Sequence, residues 1–490
     1  MEKTEDALGT ADLTPESQRL LELKETYGAT WDGPSDPRDP YNWKPWRKVS
    51  ITLLISCGQL VTLMTASMIA AALNKIAADL GMSTSQAQIA FSIYFLGMAF
   101  APFFIAAVSE MYGRRPVWLI SNMYFVLWNT LCPVGRNKVL MILGRFMAAA
   151  GASCGVCLTG PILTDMYRPD MRGRSLALAS LLPYLGPAVG PIIGGVATQH
   201  LDWPWLFYII SLFSAAIVLA GFFLLPESHT PILLGRLARA ETTAAATAGA
   251  AADPQQGRAL HNSNSNNGGS SFFSRLATSV RRPVWLLLRR PVMQLIALNM
   301  GLNFAMYCVM ITTLASIFMA RYHESETVSS LNYIAIAVGT TIEAQAGGHI
   351  MDWIWRRLTA RQHGGGEGKG KPEFRLPFIA PGVITAAEAH WALVDAGVTV
   401  FVMGCFAYSA GFLAYTFDEF EHAASASAAC RVYMYILGFA CPIFAPILYD
   451  RLGYGWGNTL LALVLLLVGG PSVLLLWLRG EKVRALGRRS

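Results

Sequence analysis

Long apolar stretches alternate with short polar ones along most of the chain, and the charged residues collect between the apolar stretches. A helix that crosses roughly 30 Å of hydrocarbon at about 1.5 Å per residue needs about 20 apolar residues. The pattern predicts six such helices in the first half, at 49–72, 86–108, 116–134, 139–162, 174–198 and 204–225. It predicts six more in the second half, at 291–319, 328–352, 376–394, 398–417, 424–447 and 457–478. We therefore expect an all-α membrane protein built from two six-helix bundles.

The ninth predicted span is the weakest of the twelve. Its apolar core, LPFIAPGVITAA, is too short to cross a membrane alone. Two crossings fit between Arg375 and Asp418 only if the chain turns at 395–397. Without this span the basic carboxyl-terminal tail would lie outside, against the charge distribution described below. Eleven full spans and one short helix remain the alternative to twelve full spans.

The polar stretches divide the chain into five segments. Residues 1–48 form a polar leader that we expect to be a mobile cytosolic tail. The bundles occupy 49–225 and 291–478. Between them, 226–290 is a cytosolic linker whose low-complexity middle we expect to be disordered, and a basic cytosolic tail follows at 479–490.

Composition and charge support this interpretation. Of the 490 residues, 53% are hydrophobic and only 14% are charged, against roughly 25% charged in an average soluble domain. Most of the 38 Lys and Arg residues fall on one side of the predicted membrane, so the positive-inside rule places both termini in the cytosol. The net charge of +7 is thus a topology signal, and no separate basic patch suggests nucleic-acid binding. The eight cysteines lie in or beside apolar runs, with neither metal-site spacing nor a disulfide framework.

The segment 185–195, LGPAVGPIIGG, carries helix-disfavouring residues at regular intervals inside an apolar run. In a bilayer the backbone cannot bond to solvent, so the helix persists, and its small residues offer a smooth surface to a close neighbour. This surface, the small-residue groove, consists of Gly186, Pro187, Gly190, Pro191, Gly194 and Gly195.

Four pieces of sequence carry a family resemblance: SEMYGRRPV at 109–117, GRFMAAAGAS at 144–153, the small-residue groove, and the pair PEFRLP and FAPILYDRLGYGWGN in the second half. In this order they resemble the signatures of the major facilitator superfamily, in particular its fungal twelve-helix drug/proton antiporter family. The resemblance runs from about Asp36 to the carboxyl terminus. It implies the major facilitator fold, with a substrate cavity between the bundles near the midplane.

The loop signature joins predicted spans two and three. The resemblance implies that Glu110, Gly113, Arg114 and Arg115 form a cytoplasmic latch between the bundles in the outward-facing state. Exposed ion pairs contribute on the order of 1 kcal/mol or less each, which suits a switch that reopens. The alternative is that these charges only follow the positive-inside rule. Ala106 stands where the family usually has glycine, so the helix contact there is expected to be looser.

Four charged residues are candidates for coupling transport to protons: Arg145, Glu343, Asp165 and Arg431. Arg145 costs roughly 2.5–3.5 kcal/mol within a span unless it faces protein or water, and snorkelling to the interface is the alternative. Glu343, in the middle of span eight, is a candidate for protonation or for a cationic substrate, or it has a hydrogen-bonded packing role. Arg431 is its candidate partner, although the family's usual arginine one turn later is Met434 here. Asp165 could titrate or form a structural ion pair.

Polar residues at helical spacing are candidates for the substrate cavity. Asn299, Asn303 and Tyr307 share one face of span seven, and Gln59 and Thr62 lie on one stripe of span one. Most of the 19 Met and 24 Phe residues serve membrane packing. The remainder suits a large apolar cavity with few polar anchors, which accepts bulky amphipathic molecules.

Together with these features, the resemblance implies a monomeric secondary active transporter that exports drug-like or secondary-metabolite molecules by proton antiport. We expect it in the plasma membrane, with the vacuolar membrane as the alternative. A nutrient importer of the same fold is a second candidate. The groove argues against it, because this segment resembles the family's fifth-helix antiporter signature. A transport-inactive or receptor-like protein is a third, since span nine is short and position 434 lacks arginine. No Gly-x-x-x-x-Gly-Lys-Ser/Thr loop, metal cluster or nucleophile constellation appears, so we expect neither an enzyme nor a cofactor.

Overall fold

The computed structural model describes residues 15–27, 29–168, 171–247, 287–347, 391–419 and 423–488, with isolated positions between 277 and 357. Every regular element in these ranges is a helix. The first-half helices are α1 (Pro15–Tyr27), α2 (Pro45–Ser67), α3 (Leu73–Asp79), α4 (Thr84–Tyr112), α5 (Arg114–Leu131), α6 (Lys138–Met166), α7 (Arg172–Ser180), α8 (Gly186–His200), α9 (Pro204–Leu224) and α10 (Thr230–Thr247). The second-half helices are α11 (Pro291–Tyr322), α12 (Glu326–Leu331), α13 (Ile334–Ile342), α14 (Trp391–Glu419) and α15 (Ala423–Arg488).

Eight helical stretches in the described ranges are long and apolar enough to cross a membrane: α2, α4, α6, α7 with α8, α9, α11, α14 and α15. The last of these breaks at Gly453, where φ is +71°, and so contains two helices that correspond to predicted spans eleven and twelve. α5 is not among the eight, and it carries buried asparagines that join it to its neighbours. Asn129, for example, donates to Phe207 O of α9 at 3.0 Å. Most of predicted span nine, at 376–390, lies outside the described residues.

Three predicted spans are interrupted. α2 ends at Ser67 rather than at 72, and the chain turns there into α3. Predicted span five divides into α7 and α8, because a 3-10 turn begins at Pro183 between them. Predicted span eight divides into α12, α13 and a π-helical turn at Glu343–Gly347. Each break leaves backbone groups that neighbouring helices must satisfy inside a membrane.

The described helices form two bundles with a continuous hydrophobic core. Phe91 and Trp118 belong to the part of this core in the first bundle, and Phe318 and Val402 extend it into the second. A separate cluster around Phe412 packs α11, α14 and α15 together. The outward faces carry many exposed large apolar side chains, as contact with lipid requires.

Against the expectation of a mobile tail, residues 29–43 pack on the first bundle. Trp31 and Trp43 are buried. Tyr41 donates its hydroxyl to Thr164 O, near the end of α6, at 3.4 Å. Burial of the two indole rings and this contact fix the amino-terminal segment 29–43 at the end of the bundle where α2 begins.

Candidate functional site

The small-residue groove of α8 packs directly against α2. Gly186, Gly190 and Gly194 recur at four-residue spacing and so lie on one face of α8. An added Cβ would lie 2.9 Å from Leu63 Cβ at Gly186, and less than 3.0 Å from Met64 O at Gly190 and from Met68 O at Gly194. Real Cβ atoms essentially never approach that closely, so these positions require glycine at this helix separation.

The prolines of the groove are both buried in α8. Pro187 lies in the first turn, where a helix loses no hydrogen bond by lacking an amide proton. Pro191 lies inside the helix and leaves the carbonyl of Pro187 without its usual amide partner. The helix therefore tolerates one proline at no cost and carries a local weakness at the other.

Gly195 faces the second bundle rather than α2. An added Cβ at Gly195 would lie 2.7 Å from Glu326 O of α12. Gln199 Oε1 accepts a hydrogen bond from Thr327 N, also in α12, at 2.9 Å. α8 therefore contacts α2 in its own bundle and α12 in the other, at the end of the molecule away from Pro45.

Arg145 of α6 is completely buried, and backbone carbonyls bind its guanidinium. Nη1 donates to Thr65 O at 2.8 Å. Longer contacts of 3.4 to 3.5 Å reach the carbonyls of Ala66, Ala90 and Phe91. The guanidinium carbon also lies 4.6 Å from the centre of the Tyr94 ring. Arg145 therefore does not snorkel to the surface and meets no carboxylate among the residues that the structure describes. It joins the last turn of α2 to α4 and α6.

A row of aromatic rings crosses the interface between the bundles. Phe95 of α4 contacts Phe304 of α11, with ring centroids 5.3 Å apart. One turn along α11, Tyr307 contacts Phe406 of α14 at 5.6 Å, and Phe406 contacts Tyr184 at the start of the α8 region at 6.0 Å. All three contacts are edge-to-face, the arrangement that aromatic quadrupoles favour. This interface aromatic row begins and ends in the first bundle and passes through the second.

Glu343 lies beside the interface aromatic row, where α13 passes into its π-helical turn. It is only 8% exposed and forms no ion pair with any described residue. Thr340, one turn earlier, donates Oγ1 to Tyr184 O at 3.2 Å and so holds this part of α13 against the first bundle. The side chains of Glu343 and Tyr184 are also close enough to interact electrostatically. The structure thus places the acidic side chain of Glu343 at the bundle interface.

Arg431 does not pair with Glu343 in the described part of the chain. Its charge acts instead on the thiol of Cys157 in α6, as do the charges of Arg114 and Glu110. Arg431 therefore lies near α6 of the first bundle.

The polar residues that share one face of α11 include two that bind α14. Asn303 donates Nδ2 to Cys405 O at 2.8 Å, and Tyr408 donates its hydroxyl to Asn299 Oδ1 at 2.6 Å. The hydroxyl of Tyr307 is buried and has no hydrogen-bond partner among the described residues. The two asparagines thus hold helices together, and Tyr307 has an unused polar group at the aromatic row.

The corresponding residues of α2 face α6. Thr62 Oγ1 donates to Ala152 O at 2.8 Å. A Cβ added at Gly155 of α6 would lie 3.1 Å from Gln59 Cα. This part of α2 therefore makes a close helix contact inside the first bundle.

The residues predicted to form a latch build a network within the first bundle. Arg114 Nε pairs with Asp165 Oδ2 at 3.4 Å, and Arg114 Nη1 donates to Ser109 Oγ at 2.7 Å. The side chain of Glu110 is exposed and forms no ion pair with a described residue. Arg114, rather than one of the arginines that follow Asp165 in the sequence, is therefore the partner of that carboxylate.

Glu227, which the sequence interpretation misses, caps the amino terminus of α5. Its Oε1 accepts the amide of Arg114 at 2.9 Å, and its Oε2 accepts the amide of Arg115 at 3.3 Å. Oε1 also accepts the amides of Ser228 and His229. Helix amino termini favour such a negative charge. An acidic residue directly after the sixth apolar run is the available sequence signal, although it looks like the start of the polar linker.

Gly113 and His229 both lie next to Glu227 and Arg114. Gly113 has φ of +104°, which disfavours any side chain, and an added Cβ would overlap the carboxylate of Glu227. Burial, together with the positive charge of Arg114, lowers the pKa of His229 to about 4. The imidazole is therefore neutral at pH 7 and adds no charge beside Arg114.

The Major Facilitator Superfamily model matches residues 55–440 of the chain. The efflux pump vrtL of Penicillium aethiopicum is 32% identical over 472 residues, which cover 94% of this chain and 90% of the relative. The probable efflux pump mfs2 of Aspergillus flavus is 34% identical, with 85% of this chain and 98% of the relative covered. The efflux pump radE of Floropilus chiversii is 29% identical, with coverages of 99% and 89%.

Two solved transporters share the fold. The proton:xylose symporter XylE superposes with a TM-score of 0.58 at 13% sequence identity, over 89% of this chain and 96% of that structure. A bacterial homologue of the human lysosomal transporter Spinster, in an inward-facing conformation, gives a TM-score of 0.56 at 13% identity, over 91% of this chain and 97% of that structure. At these identities the likeness concerns the fold alone.

Proposed function

Since the chain belongs to the Major Facilitator Superfamily, we propose that it exports drug-like or secondary-metabolite small molecules in exchange for protons. Relatives described as efflux pumps match nearly the whole of this chain, across both bundles, at about 30% identity. A multi-pass membrane protein of this family binds its substrate between the two bundles and exposes it to each side in turn. It is a transporter and not an enzyme.

The observation that carries the proposal is the buried Glu343 next to the interface aromatic row. Aromatic rings offer a broad apolar surface to bulky, flat or amphipathic molecules. The hydroxyl of Tyr307 supplies one polar anchor there. An acid in the same place can hold either a proton or a polar group of the substrate, so the two compete for one site. Such competition is what exchange of a substrate for protons requires.

Movement of the first bundle as one body is supported by two contacts. Arg145 ties α2, α4 and α6 together through their carbonyls. The glycines of α8 set that helix against α2. We assign Arg145 to this structural role, and the groove to the rigid inner face of a bundle that rocks against α12 at Gly195.

Topology follows from the same proposal. We place both termini in the cytosol, because the positively charged loops lie on their side, and the monomeric protein in the plasma membrane. The bundles comprise 49–225 and 291–478, separated by the linker 226–290. The pair Arg114 and Asp165, with Glu110 and Arg115 beside it, then lies at the cytosolic rim.

The proposal is tested in inside-out vesicles from cells that express the full chain, with rhodamine 6G and a panel of neutral aromatic compounds as probes. An acidic lumen should drive uptake of at least one probe into the vesicles, and a protonophore should abolish that uptake. Vesicles without the protein provide the background. Uptake that survives the protonophore contradicts proton exchange. Uptake driven by the opposite gradient indicates an importer, and the absence of any flux indicates a transport-inactive protein.

A further inference from the structure

An arginine-lined cavity of about 820 Å³ lies on the outside of the first bundle, away from the bundle interface. The amino-terminal segment 29–43, the start of α2 and α5, the end of α9 and the start of α10 surround it. Four arginines contribute to its walls, namely Arg38, Arg47, Arg115 and Arg236. We propose that this cavity binds the phosphate headgroup of an anionic phospholipid from the leaflet on that side of the membrane.

Three of the four arginines have positive charges that no carboxylate of the described residues balances. Arg38 pairs with Asp36 and Asp32 and is therefore neutralised. Arg47, Arg115 and Arg236 form no ion pair within the described part of the chain. The Nε of Arg115 is buried and has no hydrogen-bond partner there, while its Nη2 donates to Phe222 O at 2.8 Å. The site thus has a buried donor that a phosphate oxygen could satisfy.

Among the described residues, Glu227 is the one acidic residue in the cavity wall, and backbone amides already bind its carboxylate. Its carboxylate accepts four backbone amides, including those of Arg114 and Arg115 at the start of α5. Hydrogen bonds from these amides and the helix dipole offset its negative charge. A second anion therefore meets three unbalanced guanidiniums and one carboxylate that is already compensated.

The remaining wall suits the glycerol and acyl part of a lipid. Trp43, Leu119 and Phe222 line the cavity. The guanidinium of Arg47 lies 4.6 Å from the Trp43 ring centre, and that of Arg115 lies 5.7 Å from the Phe222 ring centre. Phe222 is in the last turn of the apolar helix α9 and is exposed, so the cavity opens at the edge of the hydrocarbon layer.

Position favours a lipid over a soluble anion. The cavity adjoins the ends of α2, α5 and α9, where the chain leaves the membrane, and a phosphate at this depth would carry acyl chains along the exposed face of α9. In the orientation proposed above, this end faces the cytosolic leaflet, which holds the anionic lipids of a cell membrane. The inference rests on that orientation only for the leaflet, and not on the transport activity.

The test measures lipid binding by the purified full chain in a neutral detergent, by native mass spectrometry and thermophoresis. The probes are dioctanoyl phosphatidic acid, dioctanoyl phosphatidylcholine and inorganic phosphate. We expect saturable binding of phosphatidic acid at least tenfold tighter than of phosphatidylcholine or of inorganic phosphate. Equal binding of both lipids overturns the proposal, and equal binding of inorganic phosphate shows a soluble-anion site instead.

The double variant Arg47→Gln with Arg236→Gln should weaken phosphatidic acid binding at least tenfold. Arg239→Gln is the matched control, because Arg239 is an exposed arginine one turn along α10 that does not line the cavity. The affinity of Arg239→Gln for phosphatidic acid should stay within twofold of that of the parent protein. The double variant and the control should both elute as the parent does on size exclusion. If the double variant misfolds, each single variant should still bind phosphatidic acid with an affinity between those of the parent and a protein without the site. Unchanged affinity in a correctly folded double variant overturns the site.

Discussion

A methyl group added at Gly190 has no room between α8 and α2. The Cβ of Gly190→Ala would lie 2.7 Å from Ser67 Oγ and closer still to Met64 O, whereas ordinary contact begins at 3.4 Å. The serine hydroxyl can turn away, but the carbonyl belongs to the backbone of α2 and cannot. The two helices must therefore separate by about 1 Å, and overpacking of this kind costs roughly 1–3 kcal/mol.

The expected result is a less stable first bundle and reduced transport. If the free energy of unfolding falls by about 2 kcal/mol, the ratio of folded to unfolded protein falls by a factor of roughly 30, since about 1.4 kcal/mol corresponds to a factor of ten. Thermal unfolding of a fluorescent fusion, followed by size exclusion after heating, measures this change. Uptake into inside-out vesicles measures the second effect. Gly190→Leu should show both effects more strongly, because a larger side chain forces a wider separation.

Gly397→Ala is the matched control. Gly397 also lies in a membrane-spanning helix, α14, and no atom of another element lies within 4 Å of an added Cβ there. Alanine favours a helix over glycine by up to about 1 kcal/mol, so this variant should be as stable as the parent protein or slightly more stable. If Gly190→Ala unfolds at the parent temperature and transports normally, then the close approach of α8 to α2 carries no energetic weight and the reasoning is refuted.

Three further outcomes follow from the site and from the amino-terminal segment. Glu343→Gln should remove the pH dependence of export in inside-out vesicles. Glu22→Gln, at an exposed position, should leave the pH profile unchanged. An unaltered pH profile in Glu343→Gln excludes Glu343 as the proton carrier. Arg145→Leu should lower the free energy of unfolding by roughly 2–4 kcal/mol because buried carbonyls lose their donor, and its thermal unfolding midpoint should fall below that of Arg145→Lys, which keeps one donor group. Hydrogen bonds from Arg38 lower the pKa of Asp36 from 3.8 to about 2, so this carboxylate stabilises the packing of residues 29–43 above pH 4 and loses that effect as the pH falls towards 2. Amide exchange of the segment, corrected for intrinsic rates, should therefore rise between pH 4 and pH 2.5 in the parent protein, and Asp36→Asn should show the faster exchange already at pH 4.

The spans were predictable from the sequence because apolar length decides whether a helix can cross a membrane. The neighbour that each helix face contacts could not be predicted in this way. Asn299 and Asn303 share a face of α11, as their spacing predicts, but that face binds α14. Helical periodicity reports which residues lie together and carries no information on the partner across the gap. The groove of α8 is the same case: small residues predict a close neighbour, and only the structure identifies it as α2 on one side and α12 on the other.

Glu227 and the amino-terminal segment 29–43 escaped prediction for a different reason. Both lie in stretches whose composition is polar, and polar composition outside the apolar runs is typical of tails and linkers. Glu227 is nevertheless buried, because its carboxylate satisfies amides at the start of α5 that a membrane helix cannot leave unpaired. Trp31 and Trp43 signal burial in the segment, but two indoles among many charges do not outweigh its average composition.

The separation of Arg145 from Glu343 bears most directly on how protons would be coupled to transport. Both residues are charged groups inside predicted spans and were candidates on the same physical ground, the cost of a charge in hydrocarbon. The guanidinium of Arg145 donates its hydrogen bonds to carbonyls within the first bundle. The surroundings of Arg145 therefore need not change when the bundles rock. Glu343 sits where α13 meets the first bundle at Tyr184, so its surroundings must change when that contact opens. A group whose environment differs between two conformations is one whose proton affinity can differ between them, and that difference is the free energy available for coupling. Coupling in this chain would then depend on one acid at the interface rather than on a fixed arginine and carboxylate pair.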